Sequence, residues 1–149
     1  LVGLVLCCSF ARNPRPVLSS LRWLLPLFPF KLVPIGLLSP FLLGRFASAP
    51  LLTALRMALA SVQNTTLRAR VEAILSIDVT SELPKIRVPV LYLRGTKDRI
   101  VPRRCSDAVA GGAPQMRIVD LEAPHFLLQA APTAAAAAVK KFVETLAPY

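Results

Sequence analysis

Three segments of the chain have the length and apolar content of β-strands. They span residues 1–8, 88–94 and 116–121, and the first is a continuous apolar run. Such runs are typical of parallel strands that are buried on both faces of a sheet. The pattern therefore predicts a three-stranded parallel sheet, with residues 1–8 at one edge.

Helical patterns alternate with the last two strands. One helix is predicted from about residue 103 to 110 and ends before Gly111 and Gly112, and another begins near Pro132. This alternation of strand and helix is typical of a doubly wound α/β fold. Functional groups of such folds lie just beyond the carboxyl ends of the strands. Catalytic or binding residues are therefore expected in two loops, 95–102 and 122–129.

Residues 17–66 differ in composition from the rest of the chain, because they are rich in leucine and interrupted by proline. The stretch is divided by Pro26, Pro29, Pro34, Pro40 and Pro50. Proline disrupts helix interiors, so short helices are expected, the clearest at Ala49–Ser61 and Thr66–Ile77. No apolar run reaches the ~18–20 residues of a membrane span. Weak contact with a membrane surface stays open as an alternative.

The charge of the chain is concentrated in its first half. The 149 residues have a formal charge of +10, a hydrophobic fraction of 54% and a mean hydropathy of +0.57. Residues 1–71 contain eight basic and no acidic side chains. A basic, apolar segment suits an anionic surface or carrier. Nucleic acid is not expected as a partner, because the arginines are scattered and no binding motif or aromatic platform accompanies them.

The cysteines show neither zinc-ligand spacing nor a disulfide framework. Cys7 and Cys8 are adjacent and Cys105 is distant, so free structural thiols in a reducing compartment are expected. This predicts a cytoplasmic location. The chain begins without methionine or a basic leader, which suggests a strand entered from preceding residues rather than a signal peptide.

One candidate residue for chemistry stands in each of the two loops. Asp98 lies between Lys97 and Arg99, which are expected to keep it ionised, and His125 is the only histidine. In adjacent parallel strands, the carboxylate could accept a hydrogen bond from Nδ1–H, leaving Nε2 as a general base. Taken alone, the two residues are better explained as a loop-capping aspartate and a structural histidine than as a catalytic pair.

The sequences around these residues resemble the α/β-hydrolase family. The stretch VPVLYLRGTKDRIVP, ending at Pro102, resembles the acid-bearing loop of that family, and APHFLLQAAP, ending at Pro132, resembles its histidine loop. The segment RARVEAILSIDVTSELPKIRVPVLYLRG is similar to the passage from the cap domain back into the core. Residues 8–14, with the strand before them, look like bacterial carboxylesterases related to pimeloyl-carrier methyl ester esterases.

This resemblance implies the C-terminal part of an α/β-hydrolase fold. Residues 1–16 and 67–149 would belong to the core and residues 17–66 to a helical cap. Asp98 and His125 would be the acid and histidine of a Ser-His-Asp triad. The substrate would be a small carboxylic ester whose acyl chain lies under the cap, and neither cofactor nor metal is implied.

Two departures from the family pattern qualify this assignment. Pro124 stands where the family usually has glycine, and no G-x-S-x-G motif occurs. Since the family order is serine, acid, histidine, the serine is expected upstream of Leu1. The chain alone is then expected to be inactive, and to need that segment or to oligomerise.

Two alternatives remain open at this stage. A residue of this chain could replace the serine, but the candidates are all expected to lack the strained strand-to-helix turn of a nucleophile; they are Cys8, Ser9, Cys105 and Ser106. The rival function is a non-catalytic, truncated module that binds a membrane surface or a protein partner.

Overall fold

The structure, a computed structural model, describes residues 1–146 as a parallel sheet with helices on both faces. The strands are β1 (Leu4–Cys7), β2 (Val90–Gly95) and β3 (Met116–Leu121). The α-helices are α1 (Ile35–Leu42), α2 (Ala49–Ser61), α3 (Asn64–Ser76), α4 (Arg103–Gly112), α5 (Leu127–Ala130) and α6 (Pro132–Glu144). Four 3-10 segments join them, at Pro16–Leu27, Phe30–Leu32, Gly44–Phe46 and Thr80–Lys85.

The predicted parallel sheet is confirmed, with strand order β1-β2-β3 and β1 at an edge. Leu4 pairs with Val90 in register. β1 is shorter than the predicted strand at residues 1–8. Its ladder begins where Leu4 N–H donates to the Pro89 carbonyl at 3.0 Å. Pro89 has no N–H group, so the ladder cannot continue through it in the other direction.

The side chains of β2 are divided between the two faces of the sheet. Leu91 and Leu93 contact the side of α5 and α6, where Phe142 completes a buried cluster. On the opposite face, a second cluster joins Leu83 of the last 3-10 segment to Val109 of α4. Because β2 is covered on both faces, its sequence is apolar at successive positions rather than at alternate ones.

The mainly helical segment from residue 12 to residue 78, between β1 and β2, is the helical excursion of this fold, and its two ends leave and re-enter the core at one place. Val79 N–H donates to the Ala11 carbonyl at 2.8 Å, and Asn13 N–H donates to the Ile77 carbonyl at 3.1 Å. The predicted helix at Ala49–Ser61 is present as α2. The predicted boundary at residue 66 falls inside α3, which packs on the Pro16–Leu27 segment. The division into core and cap stays a prediction.

This excursion leaves large apolar side chains in solvent. Val17 is 84% exposed, Trp23 71% and Leu27 79%. Among the residues that the structure describes, no helix has both the length and the apolar character needed to cross a membrane.

Candidate functional site

Asp98 lies in a tight turn at the carboxyl end of β2. The turn closes through a hydrogen bond from Asp98 N–H to the Gly95 carbonyl, at 3.1 Å. The Oδ1 atom of Asp98 accepts hydrogen bonds from the backbone N–H groups of Ile100, at 2.7 Å, and Val101, at 2.9 Å. These bonds fix the carboxylate and leave Oδ2 free for another partner.

The loop after β3 runs against this turn. Thr96 N–H donates to the Leu121 carbonyl at 2.9 Å, and Lys97 N–H donates to the Ala123 carbonyl at 3.0 Å. The backbones approach closely at Gly95, where a Cβ atom would lie 2.7 Å from the carbonyl oxygen of Ala123. Only glycine permits this approach, so the glycine three residues before Asp98 allows the two loops to meet.

The structure brings Asp98 and His125 together. His125 Nδ1 lies 2.9 Å from Asp98 Oδ2, which is a hydrogen-bond distance, and the two side chains are 26% and 3% exposed. With the proton on Nδ1, the ring donates to the carboxylate, and Nε2 keeps a lone pair. Pro124 is fully buried in this loop and does not prevent the contact.

Asp98 has a pKa below its ordinary value. Burial is the largest single influence and raises the pKa. The hydrogen bonds from His125 and from the N–H groups of Val101 and Ile100 together lower the pKa by more than burial raises it. The carboxylate is therefore ionised at neutral pH, as the sequence predicts. The cause is this hydrogen bonding rather than the adjacent Lys97 and Arg99.

An open groove of about 360 Å³ runs beside β1 and reaches His125. It is lined by Cys7, Cys8, Ser9, Phe10, His125, Phe126, Leu127, Leu128 and Gln129. His125 is thus bonded to Asp98 while it also borders a space open to solvent. A second molecule or segment can approach the imidazole from this side.

The sequence suggested Cys8 only as a substitute for the serine, and the structure places its side chain beside Asp98 and His125. Its sulfur lies within 4.8 Å of donor atoms of both Asp98 and His125. The Cys8 backbone has φ of +44°, a left-handed conformation that is uncommon for a residue other than glycine. No helix follows Cys8 directly, so this strained residue is not part of a strand-to-helix turn like that of a nucleophile.

The thiols at this end of β1 differ in their tendency to ionise. The interaction with the Cys7 side chain, followed by burial, raises the pKa of Cys8 far above its ordinary value. The same interaction lowers the pKa of Cys7. Cys8 is therefore a neutral thiol at physiological pH, and a poor nucleophile in this state.

Of the other proposed substitutes for serine, two lie away from His125 and one borders the groove. Cys105 and Ser106 are buried in α4. The hydroxyl of Ser106 donates to the Arg103 carbonyl at 2.7 Å and accepts from Arg94 at 3.1 Å. Both of its hydrogen-bonding roles are structural. Ser9 borders the groove, and its carbonyl accepts a hydrogen bond from the Tyr92 hydroxyl at 2.5 Å.

Searches of family models and of curated proteins give no match. Solved structures do match. A hydrolase from Pseudomonas aeruginosa is 21% identical with a TM-score of 0.80 over 95% of this chain and 55% of its own. A thermophilic esterase from Thermogutta terrifontis is 24% identical with a TM-score of 0.79, and the match covers 97% of this chain and 56% of the esterase. An enol-lactonase from Burkholderia xenovorans is 21% identical with a TM-score of 0.74, and the match covers 97% of this chain and 55% of the lactonase.

The chain has a partial α/β-hydrolase fold. It spans little more than half the length of the solved structures that it matches. At these identities the likeness concerns the fold, and activity is a separate question.

In this partial α/β-hydrolase fold, the helical excursion lies directly against the site. The Leu42 carbonyl at the end of α1 accepts from Phe126 N–H at 3.3 Å, and Arg45 forms an ion pair with Glu122. Leu43, between them, is fully buried. A cavity of about 280 Å³ separates this segment from the turn that carries Asp98. Residues 42–46 therefore cover both loops.

Proposed function

We propose that this chain supplies the acid and the histidine of a serine hydrolase that cleaves carboxylic esters. Asp98 is the acid and His125 the general base. The observation that supports this best is the 2.9 Å contact between Asp98 Oδ2 and His125 Nδ1 at neighbouring strand ends. A capping aspartate would need only the Oδ1 bonds to Ile100 and Val101, so the second oxygen is available for the imidazole.

The reaction proceeds by acyl transfer through a serine. His125 Nε2 removes the proton of the serine hydroxyl as that oxygen attacks the ester carbonyl carbon. The protonated imidazole then gives this proton to the departing alcohol, which leaves an acyl-enzyme. Water, activated by the same nitrogen, hydrolyses the acyl-enzyme and regenerates the serine. Asp98 holds the ring in the required tautomer and stabilises its charged form.

The serine would come from residues that precede Leu1, next to the edge of β1. A strand paired with β1 would end beside the groove that His125 borders. The family order of serine, acid and histidine supports this direction. The partial coverage of the matched hydrolases is consistent with it, because the chain corresponds to about 55% of each.

The substrate class follows from the surroundings of His125. Phe10, Leu127 and Leu128 make one side of the groove apolar, and Leu43 of the covering segment lines the cavity beside Asp98. An ester with an apolar acyl chain suits such walls, with residues 17–66 acting as the cap above it. Among the matched structures, one is named an esterase and another an enol-lactonase, which supports an ester substrate. The chemistry requires neither metal nor cofactor.

The test compares this chain alone with the chain joined to the upstream residues of its own reading frame. Both are assayed with p-nitrophenyl butyrate. We expect turnover only for the extended protein, and a loss of roughly 10³-fold or more for His125→Ala and for Asp98→Ala. A fluorophosphonate probe should label a serine outside residues 1–149 of this sequence. Glu144→Gln, an exposed carboxylate at the end of α6, is the matched control.

Two outcomes would contradict the proposal. Turnover by the extended protein that survives His125→Ala would remove the imidazole from the mechanism. Turnover by the short chain alone that disappears in Cys8→Ser or Ser9→Ala would place the nucleophile within this sequence.

A non-catalytic role at a membrane surface is the second candidate. The exposed side chains of Val17, Trp23 and Leu27 all lie in the 3-10 segment Pro16–Leu27, which favours this role. Sedimentation with anionic vesicles distinguishes the two functions, since binding lost in Trp23→Ala without any esterase activity in the extended protein would support the surface role.

A further inference from the structure

A cavity of about 80 Å³ lies between α4 and the segment 11–16 that follows β1. It is lined by Ala11, Arg12, Asn13, Pro16, Arg104, Cys105 and Ala108. In the described part of the chain, it shares no lining residue with the groove at His125 or with the cavity beside Asp98. It has room for several water molecules or for one small oxyanion. Both charged side chains in its wall are basic, which favours an anion.

The arginines at this cavity donate to backbone carbonyls rather than to carboxylates. Arg104 Nη2 donates to the Pro14 carbonyl at 2.7 Å, and Arg15 donates to the Arg99 carbonyl. Among the residues that the structure describes, no ion pair involves Arg12, Arg15 or Arg104. The Pro14 carbonyl uses only one of the N–H donors of Arg104, and the others remain for an oxyanion.

The acidic residues of the neighbouring segments have other partners. Asp78 lies opposite Arg12 in a β-bridge, but its carboxylate accepts from the N–H and the hydroxyl of Thr80, at 3.0 and 2.6 Å. These bonds lower the pKa of Asp78, and Arg12 adds only a smaller effect. Asp107 of α4 accepts from Arg94 at 3.0 Å. Neither carboxylate therefore neutralises the arginines at the cavity.

The charge distribution of α4 acts in the same direction. Its first turn contains Arg103 and Arg104 and no acidic residue, and Pro102 before it provides no side-chain cap. The dipole of a helix is positive at this end, so basic side chains there are unfavourable unless an anion balances them. The helix therefore adds to the positive potential that the arginines create.

We propose that this cavity binds a phosphate group, which Arg12 and Arg104 contact and the charge of Arg15 stabilises. Guanidinium groups bind phosphate oxygens through paired N–H donors, and arginine is the residue best suited to this recognition. Burial raises the pKa of the Cys105 thiol in the cavity wall, and the charges of Arg104, Arg12 and Arg15 oppose this rise. All three charges therefore act at the cavity. The inference does not depend on esterase activity.

The first experiment titrates the full chain with inorganic phosphate in a calorimeter, with sodium chloride added to keep the ionic strength constant. We expect saturable binding of one phosphate per chain. Arg12→Gln and Arg104→Gln should each weaken binding by about tenfold or more, because each removes a charged hydrogen-bond donor. A signal that does not saturate, or an affinity that both variants keep, would overturn the site.

Arg117→Gln is the matched control, because it removes the same charge from an exposed position on β3, outside the cavity. It should change the phosphate affinity by less than about twofold, since screened surface charges act weakly at a distance. Equal losses in Arg117→Gln and Arg104→Gln would show that phosphate responds only to the net charge of the chain, which contradicts the proposal.

Chemical-shift mapping by NMR tests the location in the wild type, without any substitution. Phosphate should shift the backbone amide resonances of residues 11–16 and 103–108 and leave that of His125 unchanged. Shifts centred on residues 122–129, or spread over basic positions of the whole surface, would contradict the site even if the arginine variants fail to fold.

Phenyl phosphate distinguishes the two sources of the phosphate group. Tighter binding than that of inorganic phosphate would assign the site to the phosphate end of an organic molecule, and weaker binding would assign it to the free ion. Binding of neither probe would overturn the site. No ester is present in these measurements, so their failure leaves the esterase proposal standing, and the converse also holds.

Discussion

Gly95 and Ala123 approach so closely that a Cβ atom on Gly95 would lie 2.7 Å from the Ala123 carbonyl oxygen. This approach joins the end of β2 to the loop after β3. Asp98 lies three residues beyond Gly95, and His125 two residues beyond Ala123. The hydrogen bond between the two side chains therefore depends on a backbone contact that a larger residue would prevent.

Gly95→Ala should destabilise the protein by about 1–3 kcal/mol, because the added methyl group overlaps a backbone that cannot rotate away. The free energy of unfolding in urea measures the loss. The same change should lengthen the Asp98–His125 contact, and the imidazole proton resonance of His125 reports that by NMR.

Gly111→Ala is the matched control for this change. Gly111 lies in α4, and a Cβ atom there would meet nothing within 4 Å. We expect it to be neutral or stabilising by about 0.5–1 kcal/mol, because alanine restricts the unfolded chain. Equal losses at both positions would show that the close approach at Gly95 has no energetic consequence.

Asp98→Asn should reduce stability at pH 7 by about 1–3 kcal/mol, since a charged hydrogen-bond acceptor is lost. The folded pKa of Asp98 is lowered, so the unfolded state binds more protons in acid. The contribution of Asp98 is present above its ordinary pKa of about 3.9 and is lost as the pH falls through the lower folded value.

Urea unfolding from pH 7 down to acid checks this sign. Wild type should lose more stability than Asp98→Asn over that range. Parallel curves would contradict the prediction, and Glu144→Gln, which removes an exposed carboxylate, should follow wild type.

Arg94 links β2, β3 and α4 through its guanidinium. Its Nη2 lies 2.8 Å from Asp120 Oδ2 and its Nη1 3.0 Å from Asp107 Oδ1, while its side chain is only 12% exposed. Arg94→Lys should cost about 1 kcal/mol, because lysine cannot form the two-pronged contact with Asp120. Urea unfolding measures it. Arg117→Lys, at an exposed position on β3, should change stability by less than about half as much.

The edge of β1 predicts self-association. In residues 1–146, β1 pairs only with β2, and Val5 is 41% exposed. An apolar strand edge invites pairing with another chain. Size-exclusion chromatography with light scattering should show oligomers, and Val5→Lys should shift them toward monomer. Val143→Lys, at an exposed position on α6, should do so less. Monomers of wild type would refute this.

Local patterns were sufficient to predict the elements that carry Asp98 and His125. Burial of β2 on both faces requires apolar residues at successive positions, so its strand is visible in the sequence. Gly95 and Pro102 mark the limits of the loop between β2 and α4. The length of β1 was overestimated, because the ladder depends on Pro89, which is far away in sequence. The cause of the lowered Asp98 pKa was also missed, since it lies in hydrogen bonds rather than in neighbouring charges.

The sequence by itself determined the order of the three strands and of α2, α3, α4 and α6, the parallel sheet, and the placement of one aspartate and one histidine at strand ends. These follow from periodicity and chain order, which are local properties. Only the tertiary structure decided that Cys8 lies beside both of them, that Leu43 is buried over the two loops, and that the ends of the excursion meet at Ala11 and Val79. Each is a contact between distant residues, and such contacts are fixed by packing and backbone geometry rather than by local preference.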